Sequence, residues 1–185
     1  VVSGLFDRSV LLDKLASALV VEDRDALVGG ILFVEIDGAV QLREQLGLSG
    51  MDTLTNQLGS QLRELIRPDE SAARYSDGSI VLLSQSRPVQ GLYDLASTLR
   101  QRVALQAFEV DGKTIQVNLS AGICAFAQVL AEPSVMLNCA ERALNQARLS
   151  PNGDRVALYQ TEVVLAKSES ELMEESIRRA LKEDG

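Results

Sequence analysis

The chain has 185 residues, of which 46% are hydrophobic, with a formal net charge of −8, no histidine and two cysteines. That length and composition suit one domain with a proper core and exclude disorder as the main state. No apolar run approaches the ~20 residues that span a bilayer, and the acidic balance without a basic run argues against a nucleic-acid backbone as partner.

The N-terminal VVSGLFDRSVLLDKL lacks the basic start of a secretory leader and reads as the cut edge of a longer protein. The lack of histidine removes the commonest general base and the commonest zinc ligand. Cys124 and Cys139 lie too far apart for a CxxC motif. Their apolar settings predict buried, reduced thiols, as in a cytoplasmic protein.

In chain order, Ser9 to Val20 predicts a helix with Leu11, Leu15, Ala18 and Leu19 on one face and Ser9 as its N-cap. Gly29-Gly30 breaks the chain before ILFVEID. The nearly continuous apolar run Ile31 to Ile36 predicts a central strand covered on both faces, ending in Glu35 and Asp37. Residues 39–48 and 51–66 predict two helices joined near Ser49-Gly50, the second stopped by Pro68. AARYSDGSIVLL places Asp77-Gly78 between strand-like runs near 71–75 and 80–84, a strong hairpin signal that needs no function to explain it.

Pro88 opens a helix carried by Leu92, Leu95, Leu99 and Val103. Phe108 to Val110, Asp111-Gly112 and Thr114 to Ala125 predict a second hairpin. Pro133 opens a helix with Met136, Cys139, Ala140, Ala143 and Ala147 on one face. A Pro151-Asn152-Gly153 turn then leads to a last strand, Arg155 to Tyr159. Interleaved helices, strands and hairpins predict an α/β (α+β) class with a mixed sheet carrying helices on its faces. Residues 162–184 read as one mostly polar helix with a narrow apolar stripe. It either lies on its own domain or connects to a following one, and the abrupt end at Lys182-Glu-Asp-Gly favours the connector. The expected organisation is a domain over 1–160 and a connector helix over 161–185.

Several of these segments, in this order, resemble the GGDEF family of diguanylate cyclase domains. Ser3-Gly4-Leu5-Phe6-Asp7-Arg8 resembles its opening T-G-L-x-N-R, and Glu35-Ile36-Asp37 its D-x-D strand end. Arg74-Tyr75-Ser76-Asp77-Gly78-Ser79-Ile80 resembles R-Y-G-G-D-E-F. Asn118 to Ile123 resembles the late S-x-G strand, and Ala143-Leu144-x-x-Ala147-Arg148 the A-L-Y-x-A-K segment. The resemblance covers about residues 2–160. It implies a nucleotide-cyclase or polymerase-palm-like fold, with a central, mainly antiparallel sheet flanked by helices.

The family joins two GTP molecules into cyclic di-GMP, one held by each domain of a dimer. Attack of a 3′-hydroxyl on an α-phosphate needs metal ions, and hard divalent cations want carboxylate oxygens. The family takes them from the first Asp of the strand end and from the acidic pair of GGDEF. Here Glu35 replaces the first, and Gly78 and Ser79 replace the pair. Asp77 is adjacent, but side chains alternate along a hairpin, so it is expected to point elsewhere. Among the substrate contacts that the resemblance implies, the guanine-reading Asn falls on Arg43 and its partner is kept as Asp52. The phosphate-binding Lys falls on Val40, the late Lys is Arg148, and a following Arg falls near Asp154 or Arg155. The family's inhibitory R-x-x-D falls on Arg67-Pro68-Asp69-Glu70, with Asp replaced by Glu. Arg67 there either holds a guanine or caps the preceding helix by binding its last carbonyls.

The expectation is therefore a degenerate GGDEF domain with no catalytic residue, no metal and no cofactor, acting as a regulatory or scaffolding module in cyclic di-GMP signalling. Ser76, Asp77, Gly78, Ser79 and Ile80 form the degenerate motif. Glu35, Asp52 and Arg148 form a vestigial nucleotide site, and Arg67 and Glu70 a vestigial inhibitory site. The implied partners are an attached EAL domain, as in GGDEF–EAL proteins of the FimX type, and a second copy of the chain. Residual GTP or cyclic di-GMP binding is not expected. The alternatives are a GTP-binding sensor without turnover, and a weakly active cyclase using Glu35 and a shifted Asp77.

Overall fold

Strand β1 (Gly30–Ile36) is the axis on which the other elements assemble. The computed structural model describes residues 7–18, 28–127, 132–150 and 155–160. In chain order the elements are α1 (Arg8–Ala18), β1, α2 (Ala39–Arg63), β2 (Ser71–Ser76), β3 (Ser79–Ser84), α3 (Val89–Leu105), β4 (Phe108–Val110), β5 (Lys113–Ile115), β6 (Leu119–Ala125), α4 (Pro133–Arg148) and β7 (Val156–Leu158). Among the described residues, the main sheet has five strands in the order β2-β3-β1-β6-β7. β1 runs antiparallel to both β3 and β6, and β7 pairs in parallel with β6.

Successive side chains of a strand point to opposite faces, and β1 shows what that does here. Leu32, Val34 and Ile36 pack with Met51, Leu54, Leu58 and Leu62 of α2 and with Leu92, Leu95 and Leu99 of α3. Ile31 and Phe33 face the other way, towards Leu11 and Leu15 of α1 and Met136, Leu137, Ala140 and Leu144 of α4. Both faces are thus covered, which is why β1 reads as an unbroken apolar run. Cys124 and Cys139 are buried, on β6 and α4, and are not joined in a disulfide. Burial, with Cys139 beside it, pushes the Cys124 thiol up to about 12, so it stays protonated near neutral pH.

A very close backbone approach in the core is at Gly122 of β6. A Cβ built there would lie 2.0 Å from the Ala140 carbonyl oxygen and 2.4 Å from the Leu144 nitrogen. Only glycine lets α4 sit this low on the sheet.

Several expectations are corrected. Ser9 is not the N-cap: the helix begins at Arg8, and the Asp7 carbonyl accepts from the Val10 and Leu11 N–H groups. The two helices expected over 39–48 and 51–66 are present in succession within α2, but the break between them falls at Gly47 (φ +75°, ψ 177°) rather than at Ser49-Gly50, and the second ends at Arg63. Gly50 is instead buried in helix, where an added Cβ would press on Leu46 and lie close to Asp111 and Val110. Thr114 to Ala125 is not one strand. β4 and β5 form a separate small hairpin, its Asp111-Gly112 loop having both φ values positive, and the chain leaves strand geometry at 116–118 before entering the main sheet as β6.

Ser3 to Phe6 of the opening motif, the end of the first expected helix, the Pro151-Asn152-Gly153 turn, Asp154 and the connector over 161–185 lie outside the described residues. Among the described residues no helix is long and apolar enough to cross a membrane.

Candidate functional site

The end of β1 lies between two neighbours. Glu35 is paired with Ser79 of β3 on one side and with Ser120 of β6 on the other. Beside it opens a cavity of about 420 Å³, lined by Glu35, Ala39, Val40, Arg43, Ser76 and Asp77. The strand end, the start of α2 and the turn of the β2–β3 hairpin therefore build one site.

The turn is anchored from below. The Gly78 N–H donates to Thr55 Oγ1 at 2.9 Å, and the Thr55 hydroxyl donates to the Met51 carbonyl at 2.7 Å. The Gly78 carbonyl accepts from the Ile36 N–H at 2.9 Å. Gly78 has φ +83°, in the left-handed region that favours glycine. A bulge between Arg74 and Ser76 shifts the register ahead of the turn. Strict alternation therefore fails there, and Asp77, expected to point elsewhere, lines the same cavity as Glu35. The Ser76 and Ser79 hydroxyls bond to each other, and Ser79 is buried.

Each carboxylate at the site has a cationic partner. Arg148 Nη1 lies 2.9 Å from Glu35 Oε1 and Arg148 Nε lies 3.0 Å from Asp37 Oδ1. Arg148 Nη2 donates to the Ile36 carbonyl at 3.3 Å. Asp37 also accepts from the Ser120 hydroxyl at 2.7 Å and pairs with Arg155 at 3.3 Å. Asp77 pairs with Arg74 and, at 3.5 Å, with Arg43, while Asp52 pairs with Arg74. Burial works against the Arg74 charge, but the hydrogen bonds to Asp52 and Asp77 outweigh it and raise its pKa above the ordinary value.

A divalent cation fits these residues poorly. Gly78 offers no side chain, the Ser79 hydroxyl is engaged with Ser76, and Glu35, Asp37 and Asp77 are neutralised by arginines. Among the described residues, no group of three or more His, Cys, Asp or Glu converges as a metal ion needs.

Arg67 and Glu70 lie elsewhere, on a cavity of about 300 Å³ that Arg63, Ile66 and Pro68 also line. The Glu70 side chain is fully covered and spoken for. It accepts from Arg87 Nε and the Ser84 hydroxyl, both at 2.6 Å, and from the Arg67 N–H at 2.8 Å. Burial alone raises the Glu70 pKa, but the bonds from Arg87, the Arg67 backbone and Ser84 together hold it below the ordinary value. Arg67 sends Nη1 to the Ser86 hydroxyl at 3.3 Å, and it is Arg87 Nη2, at 3.1 Å, that bonds the Leu65 carbonyl at the end of the helical segment.

The structure thus brings Glu35, Ser76, Asp77, Gly78, Ser79 and Arg148 together and leaves Arg67 and Glu70 apart. Ile80 is buried in β3 beyond the turn, and Asp52 meets the site through Arg74. Sequence reasoning gave no role to Asp37, Thr55 or Arg87. Asp37 had a usable signal, because it follows Glu35 by two positions and so shares its side of an extended chain. Arg87 had none, since its partner lies 17 positions away.

A family model described as "Diguanylate cyclase, GGDEF domain" matches residues 1–154. Among curated proteins, the chain is 23% identical over 155 residues to the cyclic di-GMP phosphodiesterase NbdA of Pseudomonas aeruginosa, covering 83% of this chain and 19% of that protein. It is 25% identical over 120 residues to the bifunctional diguanylate cyclase/cyclic di-GMP phosphodiesterase MucR of the same organism, covering 65% of this chain and 17% of that one. The chain therefore spans less than a fifth of the length of these two relatives. Among solved structures, the FimX GGDEF domain from Pseudomonas aeruginosa superposes with a TM-score of 0.74 at 25% identity, covering 85% of this chain and 96% of that one.

Proposed function

The chain belongs to the GGDEF family, and from that premise we propose that it is a degenerate member: a regulatory or scaffolding module of cyclic di-GMP signalling that does not itself join GTP molecules. The observation that carries this reading is the state of the site's carboxylates. Two of the positions from which the resemblance takes metal-binding acids hold Gly78 and Ser79, and the third, Glu35, is paired with Arg148. Metal-assisted phosphoryl transfer is left without a free set of carboxylates to start from.

The protein's own residues suggest what the site does instead. Arg148 and Arg155 hold the end of β1, and Arg74 holds the hairpin turn against α2 through Asp77 and Asp52. These ties hold the strand end and the hairpin turn together, and on this reading that face is where a neighbouring domain would dock. The names of NbdA and MucR supply the context: one is a cyclic di-GMP phosphodiesterase and the other combines synthesis with hydrolysis. An attached EAL domain, in the manner of the FimX type, is the proposed partner. Glu70, buried under Arg87, is withdrawn from any inhibitory ligand, and only Arg67 is left to meet one.

The test is incubation of the chain with GTP and Mg²⁺ or Mn²⁺, with cyclic di-GMP read by mass spectrometry. No product above the protein-free control is expected, and steady accumulation overturns the proposal. A GTP-binding sensor has less support, because Asp52 and Arg148, the residues that motivate it, are already paired within the protein. Calorimetric heat from GTP at micromolar concentration would favour that alternative.

A further inference from the structure

Deepening that reading, and resting on it, we infer that the Arg148 guanidinium is an internal cation that occupies the oxygens at the end of β1 and keeps a divalent metal out of this site, independently of the changes at Gly78 and Ser79.

The argument starts from the donor set. Consecutive residues Glu35, Ile36 and Asp37 offer a carboxylate, a backbone carbonyl and a carboxylate. Carboxylate and carbonyl oxygens are the donors that hard divalent cations prefer. Arg148 takes one from each residue with a different nitrogen: Nη1 at 2.9 Å, Nη2 at 3.3 Å and Nε at 3.0 Å. A guanidinium is planar, stays charged at every working pH and spreads its N–H groups as a fixed fork, so a single side chain spans all of these acceptors.

The placement is built in. Arg148 is the last residue of α4, where the helix dipole favours a cation. α4 itself is set low on β6 by Gly122. Arg155 and the Ser120 hydroxyl take further Asp37 lone pairs. The side chains of Arg148, Glu35 and Asp37 are 27%, 28% and 22% exposed, so water competes weakly for these contacts. An incoming metal ion would have to displace the guanidinium and then sit beside its positive charge. The resemblance makes Arg148 a retained substrate cation, whereas the geometry turns it towards the protein's own acids.

The test is Mn²⁺ binding read by electron paramagnetic resonance. The proteins compared are the Gly78→Asp/Ser79→Glu pair with Arg148 kept, the same pair with Arg148→Gln, and Gly78→Asp alone as a milder background with and without Arg148→Gln. Circular dichroism checks that each one folds. Restoring the hairpin acids alone is expected to leave Mn²⁺ binding near that of the unmodified chain. Adding Arg148→Gln is expected to tighten it by about tenfold or more. Equal affinity with and without Arg148 overturns the inference.

If Arg148→Gln fails to fold, the Arg148-containing pair still decides. Mn²⁺ must then leave the amide NMR signals of residues 35–37 unbroadened, and selective broadening there overturns the inference. GTP turnover by the unmodified chain bears only on the function proposed above, and Mn²⁺ binding by the hairpin pair bears only on Arg148.

Discussion

Glu70 shows what a single residue can hide from a sequence. Its position in Arg67-Pro68-Asp69-Glu70 suggested the remnant of an inhibitory ligand site, and its carboxylate is sealed under Arg87 and Ser84. Removing Arg87 leaves that charge buried with only neutral donors. Arg87→Ala is expected to cost about 3–5 kcal/mol in urea unfolding, the range for breaking one side of a buried pair. The same carboxyl sets a pH dependence. Its folded-state pKa is held below the ordinary 4.5, so its contribution is complete above the unfolded value and is lost as pH falls through the folded one. Thermal midpoints should drop on acidification from about pH 6 to pH 3, and should drop less in Glu70→Gln. The motif spacing was legible in the sequence, but the inward turn of Glu70 was not, because its partner comes from the segment after β3.

At the scale of elements, the β2–β3 turn depends on α2. Thr55 bridges the Gly78 N–H to the Met51 carbonyl inside the core. Thr55→Val keeps the shape and leaves the Gly78 N–H unsatisfied, a loss expected at about 1–3 kcal/mol. Amide hydrogen exchange at Gly78 should speed up well beyond that of the β3 amides. α4 and β6 have a comparable dependence at Gly122. Gly122→Ala drives a methyl into the α4 backbone, so it is expected to destabilise by about 3 kcal/mol, at the upper end for overpacking.

Periodicity and turn chemistry made most elements readable. β1, α3, α4 and the first hairpin all lie where the apolar spacing and the Pro and Asp-Gly signals placed them. Two of the errors share one cause. Gly47 and Gly50 are equivalent as local helix breakers, and tertiary contact decides between them, because Gly50 lies against Val110 and Asp111. The split of Thr114 to Ala125 into β5 and β6 is likewise a matter of which sheet each half joins.

For the whole molecule, the sheet order puts the end of β1 between the β2–β3 turn and β6, with the start of α2 and the end of α4 beside it. Residues far apart in the chain meet there, and in the described structure the site's acids are met by Arg43, Arg74, Arg148 and Arg155. The sequence made plain that Gly78 and Ser79 stand where the resemblance places an acidic pair. It did not disclose that Glu35 and Asp37 are tied to Arg148 and Arg155, since those pairings cross more than 110 positions of the chain. The account's central claim is that this site no longer supports joining of GTP. The most direct measurement is cyclic di-GMP formation by the unmodified chain, at protein concentrations high enough to bring two domains together, with saturating GTP and either Mg²⁺ or Mn²⁺. The account predicts product indistinguishable from the protein-free control, and accumulation that scales with protein concentration would contradict it.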